Sequence, residues 1–178
     1  MAGPEGGSGR RFVWLAFILA LVALDQWTKG LAQAGLVYRE PVPIAPFLNL
    51  TLAFNPGAAF SFLSDAGGWQ RWFLSGVGIA VSVGLLVWLL RLPQTSGKAL
   101  PLALALIIGG ALGNVWDRIV LGVVVDFIDV HWKGWHWPAF NVADSAITIG
   151  AVLFIVLSFR SEPPTDRSKT ASERSEAS

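Results

Sequence analysis

Residues 109–147 read GGALGNVWDRIVLGVVVDFIDVHWKGWHWPAFNVADSAI, and apolar runs long enough to cross a bilayer flank this stretch on both sides. Two aspartates, Asp126 and Asp144, stand within it. An ionised aspartate at the bilayer centre costs about 2.5–3.5 kcal/mol on insertion scales, so such a residue faces a protein interior or a wet cavity and marks a candidate site.

Outward from this pair, composition settles the class. Hydrophobic residues make up 53% of the chain and charged residues 14%. An ordinary soluble domain carries roughly 25% charged residues, so a water-facing surface could hardly be built here. Four apolar spans follow, at 12–31, 69–90, 99–116 and 139–159. Each is close to the roughly 20 residues that a helix needs to cross the hydrocarbon. The expected fold is an all-α polytopic membrane protein, with four transmembrane helices over residues 12–159 and a small external β-sheet cradle. The polar ends, 1–11 and 160–178, are expected to be disordered.

Orientation follows from the basic residues. Arg10, Arg11, Arg91, Lys98, Arg160, Arg167, Lys169 and Arg174 fall on one side if the spans alternate. The positive-inside rule then puts both termini in the cytoplasm and makes the loops 32–68 and 119–138 external. The second of these carries Trp132, Trp135 and Trp137, a residue type that favours the headgroup level.

The first span has a competing reading. Arg10 and Arg11, an apolar run and then Ala32-Gln33-Ala34 resemble a secretory signal peptide with a cleavage site. Asp25 and Lys29, however, lie four apart on one helical face, an ion pair that suits a retained helix.

The first external loop begins as a strand. Over 47–54, Leu48, Leu50, Leu52 and Phe54 share one face while Asn49 and Thr51 take the other. Asn55-Pro56-Gly57 supplies a turn, and 58–63 can run back as a second strand, giving a cradle over about 38–64. A plain connector hairpin is the simpler reading of the same residues.

On the third span Gly110, Asn114, Asp117 and Arg118 form one helical stripe whose polar atoms need partners inside the bundle. Gly109 and Gly113 have the small-xxx-small spacing of close helix approach. At the start of the fourth span Asn141 and Asp144 project from one face, and Asp126 lies at the same depth. Two carboxylates in a partly dry pocket share a proton, which supplies an acid and a base near neutrality. Equally consistent with the spacing, Asp126 pairs with Arg118 while Asp144 serves the N-terminus of the fourth helix.

Several chemistries find no support. A net charge of +1 offers no footprint for nucleic acid. The absence of cysteine removes disulfides, thiolate nucleophiles and cysteine metal sites, and leaves no residue for thioether lipidation of this chain. Asp129, His131 and His136 match no strong metal-ligand spacing. A Ser–Lys protease lacks its pair, because Lys29 faces Asp25 and Ser145 has no evident base. A small proton-coupled transporter would also carry intramembrane carboxylates, but neither half of the chain repeats the other.

Four ordered motifs carry a family resemblance: 55–60 (NPGAAF), 113–118 (GNVWDR), 125–127 (VDF) and 140–145 (FNVADS). Together with Asp25, Lys29 and the four spans, they resemble the lipoprotein signal peptidases, the type II signal peptidases of bacteria. The resemblance runs over about 12–159. It implies an aspartyl endopeptidase of the bacterial cytoplasmic membrane, active near the outer face, that cuts prolipoproteins before a diacylglyceryl-modified cysteine. It makes Asp126 and Asp144 the catalytic dyad. Asn55, Gly57, Asn114, Arg118 and Asn141 become substrate-holding and supporting residues, and Asp25, Lys29 and Asp117 structural polar groups. It further implies a cradle over the lipid-bearing substrate, contact with membrane lipid, inhibition by globomycin-type cyclic peptides, and no metal or other cofactor.

Overall fold

A computed structural model of the chain describes residues 6–57, 67–93 and 95–160. Its centre is α3 (Ala99–Val120), in which Gly109, Gly110 and Gly113 are clustered. Over its most apolar window 56% of α3 is buried, against 17% in α1 (Gly6–Gly35), α2 (Trp69–Arg91) and α4 (Val142–Arg160). The other three helices therefore turn most of their apolar surface outward, as a lipid-facing helix must. All four are long and apolar enough to cross a membrane.

Small residues explain why α3 can hold the centre. A Cβ on Gly113 would lie 2.6 Å from Asp25 Oδ2 of α1, and one on Gly110 would collide with the carbonyl oxygen of Ala143 in α4. Backbone thus approaches backbone at the level where the polar stripe of α3 begins. At the opposite end Ile18, Leu89, Leu104, Ala105 and Ile108 join α1, α2 and α3 in an apolar cluster.

The strands form one antiparallel sheet in the order β1 (Val42–Ala45), β2 (Leu48–Asn55), β3 (Val124–Trp132), β4 (Trp135–His136). It sits on the end of the bundle where α1 finishes and α4 starts, held by Ala32, Leu52, Val125 and Phe127 with Leu36 and Val142 packed against them. The partner of β2 is β3, drawn from the stretch expected to be loop. The return strand expected over 58–63 lies outside the described residues, as do 1–5 and 161–178 of the expected disordered ends. Between β3 and β4, Lys133 (φ 49°) and Gly134 (φ 84°) both take the left-handed backbone of a two-residue type I′ hairpin.

Helix limits differ from the apolar runs: α1 spans Gly6–Gly35 rather than 12–31, so that 6–11 of the expected disordered end are helical, and two further differences bear on the site. Helix α3 continues through Asp117 and Arg118 to Val120; Asp117 meets Lys29 and Gln26 of α1, and the terminal nitrogens of Arg118 donate to the Asn114 and Gly57 carbonyls. Helix α4 begins at Val142, since Pro138 disfavours helix before it and Phe140 exchanges backbone hydrogen bonds with Ile128 at 2.9 and 3.1 Å.

One irregularity in β2 decides what faces the site. Leu50 pairs with Ile128, but Ala53 pairs with Asp126, so Thr51 and Leu52 together oppose Phe127 alone. A bulge of this kind moves all later residues to the other face. Ala53 and Asn55 thereby join the face of Asp126, Leu52 is buried against Val125, and Phe54 stacks on Tyr38 at 5.5 Å. The uniform alternation expected over 47–54 holds only as far as Leu50.

Candidate functional site

Asn141 immediately precedes α4, and its Oδ1 accepts the backbone N–H of Asp144 at 2.8 Å, the geometry of a helix N-cap. That leaves the amide nitrogen free to reach back across the sheet. Nδ2 of Asn141 donates to Asp126 Oδ1 at 2.7 Å, to the Val125 carbonyl at 3.2 Å and to Asn114 Oδ1 at 3.3 Å. Asn114, on the inward stripe of α3, donates through Nδ2 to Asp144 Oδ1 at 2.7 Å. Two asparagines thus tie the carboxylates of β3 and α4 to each other.

The turn after β2 adds a third amide. Asn55 Nδ2 donates to Asp126 Oδ2 at 3.3 Å, while its Oδ1 accepts the Gly57 N–H at 3.0 Å. Arg118 stands one helical turn beyond Asn114 and donates to the carbonyls of Gly57 at 2.9 Å and Asn114 at 3.3 Å. The turn is therefore pinned to α3. Among the described residues Arg118 makes no ion pair with Asp126, so the alternative pairing open on spacing alone is not formed. Asp144 does lie in the first turn of α4.

Asp126 is 2% exposed. Burial first, and then the nearby Asp144 carboxylate, push it up to about 7, against the opposing effect of Asn55, Asn141 and Lys29. A carboxyl at that value exchanges its proton readily near neutrality. Asp144 is only partly buried, so the pair opens on one side.

Behind the pair lies a second, fully enclosed cluster. Lys29 Nζ sits 2.7 Å from Asp25 Oδ2, 2.8 Å from Asp117 Oδ2 and 3.0 Å from Asn114 Oδ1. The two carboxylates also hold backbone: Asp25 Oδ1 accepts the N–H of Ala143 at 2.9 Å, and Asp117 Oδ2 accepts that of Val125 at 3.2 Å. Ala143 and Val125 are the residues just before Asp144 and Asp126. Gln26, which carried no sequence signal, donates to Asp117 Oδ1 at 2.8 Å.

Every site residue singled out in the sequence is thus drawn into these two linked clusters. Asp129, His131 and His136 are not. Asp129 is a sheet clamp, accepting from Asn49 at 3.2 Å and Thr51 at 3.1 Å on β2, with His136 Nδ1 of β4 at 2.7 Å. The His131 ring stacks on that of His136 at 5.0 Å. Among the described residues no three His, Asp or Glu side chains are grouped to hold a metal ion.

The arrangement offers two carboxyl groups, one poised near neutrality, with amide donors on fixed backbone around them. Comparison with known proteins shows the family of the chain. Residues 17–160 match the family described as signal peptidase (SPase) II. The chain is 55% identical over 147 residues to the lipoprotein signal peptidase of Acinetobacter baumannii, covering 83% of each chain. It is 52% identical over 150 residues to that of Cupriavidus pinatubonensis, covering 84% of each. Among solved structures it is similar to a bacterial membrane enzyme determined in meso at 2.3 Å, with TM-score 0.76 and 30% identity, over 87% of this chain and 92% of that one.

Proposed function

The chain belongs to the signal peptidase II family, which processes prolipoproteins, and from that premise we propose that it is an aspartyl endopeptidase with Asp126 and Asp144 as its dyad. It cuts prolipoproteins on the amino side of a diacylglyceryl-modified cysteine. The observation that carries this reading is the Asn114–Asn141 bridge, which gives each carboxylate a donor at 2.7 Å.

The chemistry follows from sharing one proton. The ionised member of the dyad takes a proton from water as the water oxygen bonds to the scissile carbonyl carbon. The protonated member gives its proton to the carbonyl oxygen, forming a neutral gem-diol. Collapse breaks the C–N bond as the now protonated member gives its proton to the departing amine and the now ionised member takes one hydroxyl proton of the gem-diol, which leaves a carboxylic acid on the signal peptide and restores the dyad. No covalent intermediate is needed. Asn55 and Asn141 hold Asp126, Asn114 holds Asp144, and the Gly57 turn pinned by Arg118 lies against the substrate backbone. The sheet forms a cradle beside the lipidated residue. Asp25, Lys29 and Asp117 hold the helices and strand that carry the dyad.

In this reading the protein lies in the bacterial cytoplasmic membrane with both termini in the cytoplasm, the site near the outer face, and globomycin-type cyclic peptides as inhibitors. Purified protein incubated with a diacylglyceryl-modified prolipoprotein should release the signal peptide, and globomycin should block that release. An intact substrate would overturn the proteolytic reading and favour a proton-coupled transporter.

A further inference from the structure

Lys29 is the one buried cation among the described residues, 1% exposed, and the proposed chemistry gives it no contact with either dyad carboxylate. An ammonium has three hydrogens to place. Two meet Asp25 and Asp117, and the third meets Asn114 Oδ1 at 3.0 Å. That third bond is not needed to balance charge, since two carboxylates already outweigh one lysine.

What it fixes is the sense of an amide. Oxygen and nitrogen of an asparagine side chain are nearly equal in shape, so only the partners decide which way it points. With Lys29 Nζ and Asn141 Nδ2 both donating to Asn114 Oδ1, the nitrogen is left to face Asp144 Oδ1 at 2.7 Å. The flipped amide would set N–H against ammonium and oxygen against carboxylate, two repulsive contacts in place of two attractive ones.

We propose that Lys29 is a positioning residue for the dyad, its ammonium locking the Asn114 amide so that the nitrogen donates to Asp144. This rests on the reading of Asp126 and Asp144 as the catalytic pair. A lysine that only bolts α1 to α3 would affect folding, and its loss would multiply with any defect at Asn114. A lysine acting through Asn114 has nothing left to act on once that amide is gone.

The test is a double-mutant cycle on the full chain in detergent micelles, reading kcat and KM for a diacylglyceryl-modified prolipoprotein with Lys29→Met, Asn114→Ala and the pair. Lys29→Met should lower kcat about tenfold with KM within about twofold, and should add less than about twofold in the Asn114→Ala background. Because Lys29→Met leaves Asp25 and Asp117 opposed, the cycle is run in the Asp117→Asn background as well, where one buried charge leaves with the cation. Effects that multiply, a folded Lys29→Met with wild-type kcat, or a loss confined to KM would each overturn the proposal. Wild-type protein that leaves the substrate whole would instead remove the proteolytic reading, and this inference with it.

Discussion

Asp117 accepts the backbone N–H of Val125, the residue immediately before Asp126, at 3.2 Å. The contact sets the height of β3 against the end of α3, and so the position of the Asp126 carboxyl. The same Asp117 oxygen meets Lys29 at 2.8 Å, and its other oxygen meets Gln26. Removing one member of a buried, hydrogen-bonded charge cluster typically costs about 3–5 kcal/mol. Asp117→Ala should therefore lower thermal stability by several kcal/mol, while Asp117→Asn, which keeps an acceptor, should lose less. Unfolding followed by tryptophan fluorescence in micelles measures both; equal stability of Asp117→Ala and wild type would show the anchor to be idle.

The second expectation concerns the dyad itself. Asp126→Asn and Asp144→Asn each keep the side-chain shape and remove proton transfer, so each should abolish cleavage while the protein remains folded and membrane-inserted. Signal-peptide release by gel shift, with melting curves as the fold control, decides it. Near wild-type turnover in either variant would remove that residue from the chemistry.

How much of this was legible beforehand depends on which force placed each residue. The helices were readable because crossing a bilayer demands length and apolarity, both plain in the sequence. The pairing of Asn114 with Arg118 and of Asn141 with Asp144 was readable because helical spacing fixes which side chains share a face. Strand β3 was harder, since its run VVDFIDV is bounded by helix on one side and a Trp-rich hairpin on the other, and its partner lies about 70 residues back. The bulge at Thr51–Leu52 leaves no mark in the hydrophobic pattern, so the alternation gave no sign that the faces exchange beyond Leu50. The anchoring of Val125 and Ala143 by Asp117 and Asp25 was invisible for another reason: a backbone N–H has no sequence signature.

Asp126 also links stability to pH. An unfolded aspartate ionises near 3.8, and in the fold burial and Asp144 raise Asp126 to about 7. Between these values the unfolded chain releases a proton that the folded chain keeps. The stability conferred by the neutral form is thus full below about pH 4 and is lost as pH rises through about 7. Asp126→Asn, which cannot ionise, should match wild type near pH 4 and exceed it in Tm near pH 8. Melting curves at the two pH values measure the gap; a gap that shrinks with rising pH would contradict the raised value.

Asn55 owes its place to the bulge in β2 and serves two neighbours, donating to Asp126 and accepting from Gly57. A hydrogen bond to a charged group is worth about 1.5–3 kcal/mol, or roughly ten- to a hundredfold in rate when expressed in the transition state. Asn55→Ala should lower kcat/KM within that range. Asn55→Asp should do worse, because it places a third carboxylate beside Asp126. Steady-state cleavage of a lipidated prolipoprotein ranks the three proteins, and an aspartate variant more active than the alanine one would mean that Asn55 does not face Asp126.

Asn141 combines two tasks that one substitution can separate. Its oxygen caps α4 by accepting the Asp144 N–H, and its nitrogen bridges Asp126, Val125 and Asn114. Asn141→Ala removes both, so it should lose about 0.5–2 kcal/mol of stability with the cap as well as activity. Asn141→Asp keeps an oxygen that can cap the helix, and aspartate is as good an N-cap as asparagine. What it lacks is the donor, and it sets a new negative charge against Asp126 Oδ1, where the amide nitrogen stood at 2.7 Å. The aspartate variant should therefore retain more of its helix-cap stability than the alanine variant yet cleave almost as poorly as Asp126→Asn. If Asn141→Asp instead cleaves at close to the wild-type rate, the nitrogen is dispensable, and the bridge between the two carboxylates cannot be what holds the pair ready.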